Sequence, residues 1–273
     1  MNDVKGVTAP REVRPRAGRY AGRALEYWLM LYRRTWRGNV VSNFLAPLLY
    51  LGAMGFGLGA LVDAGRGGPG GVPYVEFIAP GVLVATAMQV GVGEATYPVM
   101  GAIRWQRQYH AMIASPLGIA DLVLGHLGFL LMRLVTAAAA FVLVGALLGA
   151  FRSWWAVGSA LVAVLCGLAH AAPTMAFTAR LQNESTGFNL LFRFVVIPMF
   201  LFAGTFFPVD RLPGALQPIA WVTPLWHGTA AARDLALGSP RWLEDTGHVA
   251  YLLLWLVVGV RLAVLSMRRR LIE

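Results

Sequence analysis

An all-α integral membrane fold with six transmembrane helices is predicted for this chain, and three observations predict it. Of its 273 residues 58% are hydrophobic and only 13% are charged, whereas a soluble domain carries about 45–50% apolar and about 25% charged residues. The apolar residues are gathered into six runs of the length, about 20 residues, that a helix needs to cross a hydrocarbon core. The basic residues lie unevenly about those runs. The same composition excludes a disordered chain, which requires low hydrophobicity. A lone cysteine, Cys166, excludes a disulfide scaffold and any multi-cysteine metal site.

In chain order, residues 1–19 are polar and rich in Arg and Pro and are expected to form a mobile cytoplasmic tail. Residues 20–38 have helical periodicity. Leu25, Trp28, Leu29, Tyr32 and Trp36 share one face, and Arg23, Glu26, Met30, Arg33 and Arg37 lie opposite. An aromatic apolar stripe backed by arginines describes an amphipathic helix lying in the membrane interface, the alternative being a soluble helix packed on a partner. Residues 39–270 then hold the six spans: Val40–Val62, Tyr74–Met100, Leu122–Ala150, Trp154–Phe177, Phe188–Phe207 and Val249–Met267. The first run is too long and too late for the apolar region of a cleavable signal peptide, and none is expected.

The connections differ in character. Asp63–Pro73 is Gly-rich, a flexible outer loop. Gly101–Ala120 places Trp105, Tyr109, Met112 and Ile113 at helical spacing with Arg104, Arg107 and His110 between them. The pattern stops at Ser115-Pro116, since proline disfavours helical geometry in the residue before it. This is a short amphipathic helix joined to two spans, either a transmitter of motion from a soluble partner or an interfacial connector. Between spans five and six, Pro208, Pro213, Pro218 and Pro224 break the chain into pieces too short to cross, yet Phe206, Phe207, Leu216, Trp221 and Trp226 keep it apolar. Irregular backbone at membrane depth survives only inside protein or along a cavity. The segment therefore reads as a partly re-entrant outer structure or an aromatic cap, and Leu235–His248 as a polar outer loop.

The net charge of +10 follows from topology. With both ends cytoplasmic, 15 of the 23 Lys and Arg residues fall on the inner side, five outside and three within spans, as the positive-inside rule requires. Nucleic acid need not be invoked. A P-loop is excluded, because it needs a lysine on the terminal phosphates and the sole lysine, Lys5, stands in the tail without the motif. The histidines show no zinc-binding spacing, no metal ligands are assigned, and the nucleophile elbow of hydrolases is missing.

Ionisable residues inside spans are functional candidates by default, because burying charge in lipid is expensive. Arg193 and Arg261 lie near the inner ends of spans five and six, where their side chains can reach water. Arg133 is about 12 residues into span three, about 18 Å along the helix, too deep for that. Glu94, across the hairpin, is its expected acidic partner; a separate role of each at a cavity is the alternative. The pairs Gly55/Gly59 and Gly145/Gly149 have the spacing of close helix packing.

Taken with Ser115-Pro116-Leu117, the segment Phe200 to Pro208, Leu216-Gln217, Trp221 and Thr223-Pro224-Leu225, the chain resembles the type-2 permeases of ATP-binding-cassette exporters. The branch is that of the nodulation lipo-oligosaccharide and daunorubicin-type drug exporters, and the resemblance covers roughly Tyr20 to Arg270. It implies a half-transporter that works as a homodimer in the cytoplasmic (inner) membrane. Such a permease carries no cofactor itself; ATP and Mg belong to a separately encoded ATPase. The ATPase would dock on Arg104, Trp105, Arg107, Tyr109, His110, Ser115 and Pro116 and on the interfacial helix with Trp28, Tyr32, Arg33 and Trp36. Phe206, Phe207, Pro208 and Trp221 would gate the exit, and Glu94 and Arg133 would lie along the pathway of an amphipathic drug, lipid or lipid-linked glycan. Family members often carry a glutamate in the inner-loop helix where this chain has Gln106, Gln108 and His110. A membrane-embedded lipid-modifying transferase and a structural subunit of a membrane complex are the competing classes.

Overall fold

The computed structural model describes residues 18–66, 68–151, 153–182 and 184–272. The tail expected over 1–19 lies almost wholly outside the described residues. Among the described residues six helices are long and apolar enough to cross a membrane, one for each expected run: α1 (Ala21–Gly65), α2 (Tyr74–Trp105), α4 (Ile119–Leu147), α5 (Ala156–Arg180), α6 (Ser185–Phe202) and α9 (Trp242–Leu271). Three shorter α-helices lie in the described connections, α3 (Gln108–Ile113), α7 (Gln217–Val222) and α8 (Pro224–Ala236), beside single 3-10 turns at Pro69–Gly71 and Val209–Arg211. No strand occurs among the described residues.

The centre of the bundle is α5, which packs against α2, α4, α8 and α9. Small residues make that position possible. A Cβ on Gly91 would stand 2.3 Å from the Gly167 carbonyl oxygen, so the backbones of α2 and α5 touch where both residues lack side chains. Of the expected glycine pairs, Gly55 and Gly59 pack α1 closely on the start of α2, against Val75 and Tyr74, while the second pair lies at the end of α4. Gly145 accommodates the Phe151 ring, and Gly149 adopts φ 74° in the turn that ends α4.

Helix α1 runs past residue 38 without a break, so the amphipathic segment and span one form a single rod rather than two elements. Continuous helical backbone satisfies every amide internally, which a corner at 38/39 would not. The rod lies parallel to α4: Ala24 meets Gly125 near one end, Asn39 meets Arg133, and Leu51 meets Gly145 near the other. Trp28 is buried against α4, stacked on Phe129 at 5.7 Å, whereas Trp36 is exposed. Buried Asp121 ties the two helix starts together by accepting from the backbone N–H groups of Tyr20 and Gly118, each at 3.0 Å.

Helix α2 is interrupted at Thr96, ahead of Pro98, whose nitrogen has no hydrogen to donate. The carbonyl of Ala95 freed there accepts from Thr178 Oγ1 of α5 at 2.8 Å. After α6 the chain does not leave the bundle. The turn at Gly204–Thr205 crosses α2 at Gly81, where a Cβ would stand 2.6 Å from the Thr205 oxygen. Helix α8 then packs against α2, α5 and α9. The Pro224 carbonyl lies 3.8 Å from Cys166 Sγ, and Ser159 Oγ donates to Ala232 O at 2.7 Å. The expected outer loop over 235–248 therefore shrinks to the short turn between α8 and α9, because α9 begins at Trp242.

Candidate coupling surface and intramembrane polar network

The arginine-rich end of the bundle gathers the start of α1, the turn before α3, and the end of α9. The amphipathic pattern over 101–113 does not form one helix. The last turns of α2 end at Trp105, and Arg107, with φ 52°, starts α3 afresh. A left-handed residue other than glycine is uncommon and resets the helical phase. Trp105 and Tyr109 thus face opposite ways: Trp105 is 60% exposed, and Tyr109 is fully buried. Tyr109 therefore cannot belong to a docking face, which corrects the expectation from its spacing. Its hydroxyl is 2.6 Å from His126 Nδ1, and both rings pack edge-on against Trp28. Tyr27 donates from its hydroxyl to Gln108 Oε1, adding a second tie between α1 and α3.

Outside this anchor, Arg104, Arg107 and His110 are exposed and, with Ile103 and Arg270, line a polar recess of about 350 Å³. Arg104 also donates to the Gln182 carbonyl at 3.0 Å, linking the recess to the turn between α5 and α6. Ser115 and Pro116 are exposed; Ser115 Oγ donates to Met112 O at 2.6 Å and closes α3. Arg33 and Trp36 stand exposed on α1, with Tyr32 packed edge-on against Phe129. The arrangement is a cationic face carried on a buried aromatic anchor.

About 21 Å along α4, by helical rise from Ile119, Arg133 makes the expected ion pair with Glu94. Its second terminal nitrogen donates to Asn39 Oδ1 at 3.0 Å. One guanidinium thus joins α1, α2 and α4, directly beside the interruption at Thr96.

At the opposite end, Phe206 stacks with Tyr50 and meets Phe200 edge-on, and its carbonyl accepts from the Tyr74 hydroxyl at 3.3 Å. Phe207 packs with Val209, Leu212, Ala220 and Trp226; Pro208 is half-buried, and Trp221 is exposed. Arg233 fixes this segment to α2. Its guanidinium lies 4.0 Å over the Phe77 ring and donates to Phe77 O at 3.1 Å and to Gly204 O at 2.7 Å. Nearby, the Nδ1 atoms of His227 and His248 are 2.7 Å apart, joining α8 to α9.

Comparison with known proteins decides the family. The model of the ABC-2 type transporter family matches residues 25–237. The chain belongs to the ABC-2 type transporters. Nodulation protein J of Rhizobium meliloti (strain 1021) is 33% identical over 253 residues, 89% of this chain and 94% of that protein. The protein of the same name from Rhizobium leguminosarum bv. trifolii is 33% identical over 254 residues, covering 90% and 94%. That of Bradyrhizobium diazoefficiens is 28% identical over 255 residues, with the same coverage. This chain is accordingly the multi-pass membrane subunit of an ABC exporter, a transport subunit whose ATP hydrolysis resides on a partner chain.

Several working residues of this ABC-2 permease carry no sequence signal of their role. Asn39 reads as one more polar residue at a span boundary, and Asp121 as the start of a span. Arg233 reads as part of the outer side. The small residues Gly228, Thr229, Ala231, Ala232 and Ala236 on α8 were the available sign that this helix packs closely inside the bundle.

Proposed function

We propose that two copies of this permease and two copies of a separate ATPase form an exporter in the inner membrane, with both permease termini in the cytoplasm. The cargo is an amphipathic molecule: a drug, a lipid or a lipid-linked glycan. ATP and Mg bind to the ATPase. The single observation that carries this reading is the cationic face of Arg104, Arg107 and His110 held on the buried Tyr109–His126–Trp28 anchor. A face that meets a motor must be exposed, and its connection to the spans must be stiff enough to transmit displacement. Buried aromatic packing and short hydrogen bonds supply that stiffness.

In this reading the ATPase docks on Arg104, Trp105, Arg107, His110, Ser115 and Pro116 and on the Arg33/Trp36 side of α1. Movement passes through Tyr109 into α4 and through Trp28 into α1. Arg133, with Glu94 and Asn39, keeps α1, α2 and α4 together as they move, and the Phe206–Pro208 segment with Trp221 closes the exit. Helices α7 and α8 together serve as the partly re-entrant outer segment between spans five and six. A photoreactive amino acid at His110 tests the docking face. Crosslinking to the ATPase in membranes supports it, and crosslinking only to lipid or to this chain itself contradicts it.

A further inference from the structure

We propose that the slot between α6 and its own bundle is the acyl-chain site of the exported molecule, with the polar head at the arginine-rich end. This deepens the exporter reading and rests on it. The slot has a volume of about 650 Å³, within the range of small-molecule sites. Its walls come from several elements of the same chain, with Met88 and Val92 on α2, Phe177 on α5, Phe194 and Met199 on α6, and Trp255 on α9.

Two smaller cavities extend it. Toward the arginine-rich end, a recess of about 260 Å³ shares Leu190 and Phe194 with the slot and is lined by Ser185, Thr186, Asn189 and Arg193. Arg193 is exposed and makes no ion pair among the described residues. Toward the other end, an apolar cavity of about 370 Å³ shares Phe194, Val195 and Met199 and continues to Phe202 and Ile219. From Asn189 to Phe202 the track follows α6 for about 20 Å. A cationic, hydroxyl- and amide-lined mouth leading into an apolar slot matches one kind of ligand, a hydrocarbon chain with a hydroxylated or anionic head.

Two features mark the slot as more than loose packing. The backbone of α6 widens into a π-turn over Phe192–Val196, beside the slot, and such turns are frequent at functional sites. His170, only 6% exposed, directs Nδ1 at the Cys166 carbonyl at 2.8 Å, so Nδ1 carries the proton. Nε2 is then an acceptor, and it faces Met199 Sδ at 3.3 Å, which has no proton to give. The slot wall therefore offers an acceptor to a ligand hydroxyl or amide N–H. Thr174, the other polar residue of the wall, already donates to His170 O at 2.7 Å.

The probe is a lysophosphatidylglycerol bearing a diazirine at mid-chain, applied to the permease–ATPase complex in lipid nanodiscs. Labelling is expected on Phe177, Phe194 and Met199, and excess unlabelled lysophosphatidylglycerol should suppress it. Val92→Trp and Met199→Phe, each filling the slot, should lower labelling about tenfold or more, the scale at which an apolar pocket registers misplaced groups. Leu265→Trp, on an exposed face of α9, should leave it unchanged. Labelling spread over the outer faces of α6 and α9, or insensitive to both filling variants, overturns the slot. Labelling only where two permease copies meet overturns it equally. If no ATPase copurifies but slot labelling persists, the slot stands and the exporter reading falls.

Discussion

Replacing Arg133 with leucine tests whether one guanidinium holds three helices together. The change removes the bond to Glu94 and the bond to Asn39. Hydrogen bonds to charged groups contribute about 1.5–3 kcal/mol each. Between membrane helices the measured average is nearer 0.6 kcal/mol, with a maximum of about 1.7. Because both side chains keep some exposure, 18% for Arg133 and 22% for Glu94, a joint loss of about 1–3 kcal/mol is expected. Against it stands the removal of an arginine from span centre, which favours insertion by about 2.5–3.5 kcal/mol. Arg133→Leu should therefore reach the membrane in normal or greater amount while losing most export. Arg261→Leu, whose side chain can reach the inner interface, should have a milder effect on export. In a four-cornered cycle of Arg133→Leu and Glu94→Gln, read by unfolding of the purified permease, the double variant should lose less than the sum of the singles by about 1–2 kcal/mol. Strict additivity, or native export by Arg133→Leu, would refute this role.

Arg107→Glu and His110→Glu alter the exposed cationic face and should leave abundance unchanged while lowering transport-linked ATP hydrolysis; native hydrolysis and export in both would reduce the inner loop to a connector. Tyr109→Phe leaves His126 Nδ1 without its partner in a fully buried site and should cost about 1–3 kcal/mol in the unfolding transition, whereas an unchanged transition would mean that the hydrogen bond is dispensable. Topology is open to an impermeant thiol reagent on intact cells, since the native Cys166 is buried and silent. Ser239→Cys should react from outside, and Gly22→Cys and Ile272→Cys should not; labelling of either of the last two overturns the orientation.

The six spans were legible because length and apolarity suffice to define a membrane helix. The Arg133–Glu94 pair was legible too, since two deep charges on adjacent spans have few other partners. What escaped was phase and contact. The periodicity of Trp105 and Tyr109 assumes one uninterrupted helix, and the left-handed conformation of Arg107 is invisible in residue types. Asn39 gained its role only when α1 lay parallel to α4, a tertiary fact. In the sequence helix α8 looks like cap and loop, because its leading proline and its polar residues break the hydropathy signal. Its small-residue face, seated against α5 at Gly228 and Cys166, lets it pack inside the bundle all the same.

The central claim, that this chain conducts cargo while another chain supplies the energy, is tested most directly by purifying the tagged permease from its native membrane under mild conditions. An ATPase subunit in one-to-one ratio is predicted, with ATP hydrolysis by the complex that disappears when the permease is isolated alone. Recovery of the permease free of any ATPase, or catalytic turnover of lipid by the permease alone, would contradict it.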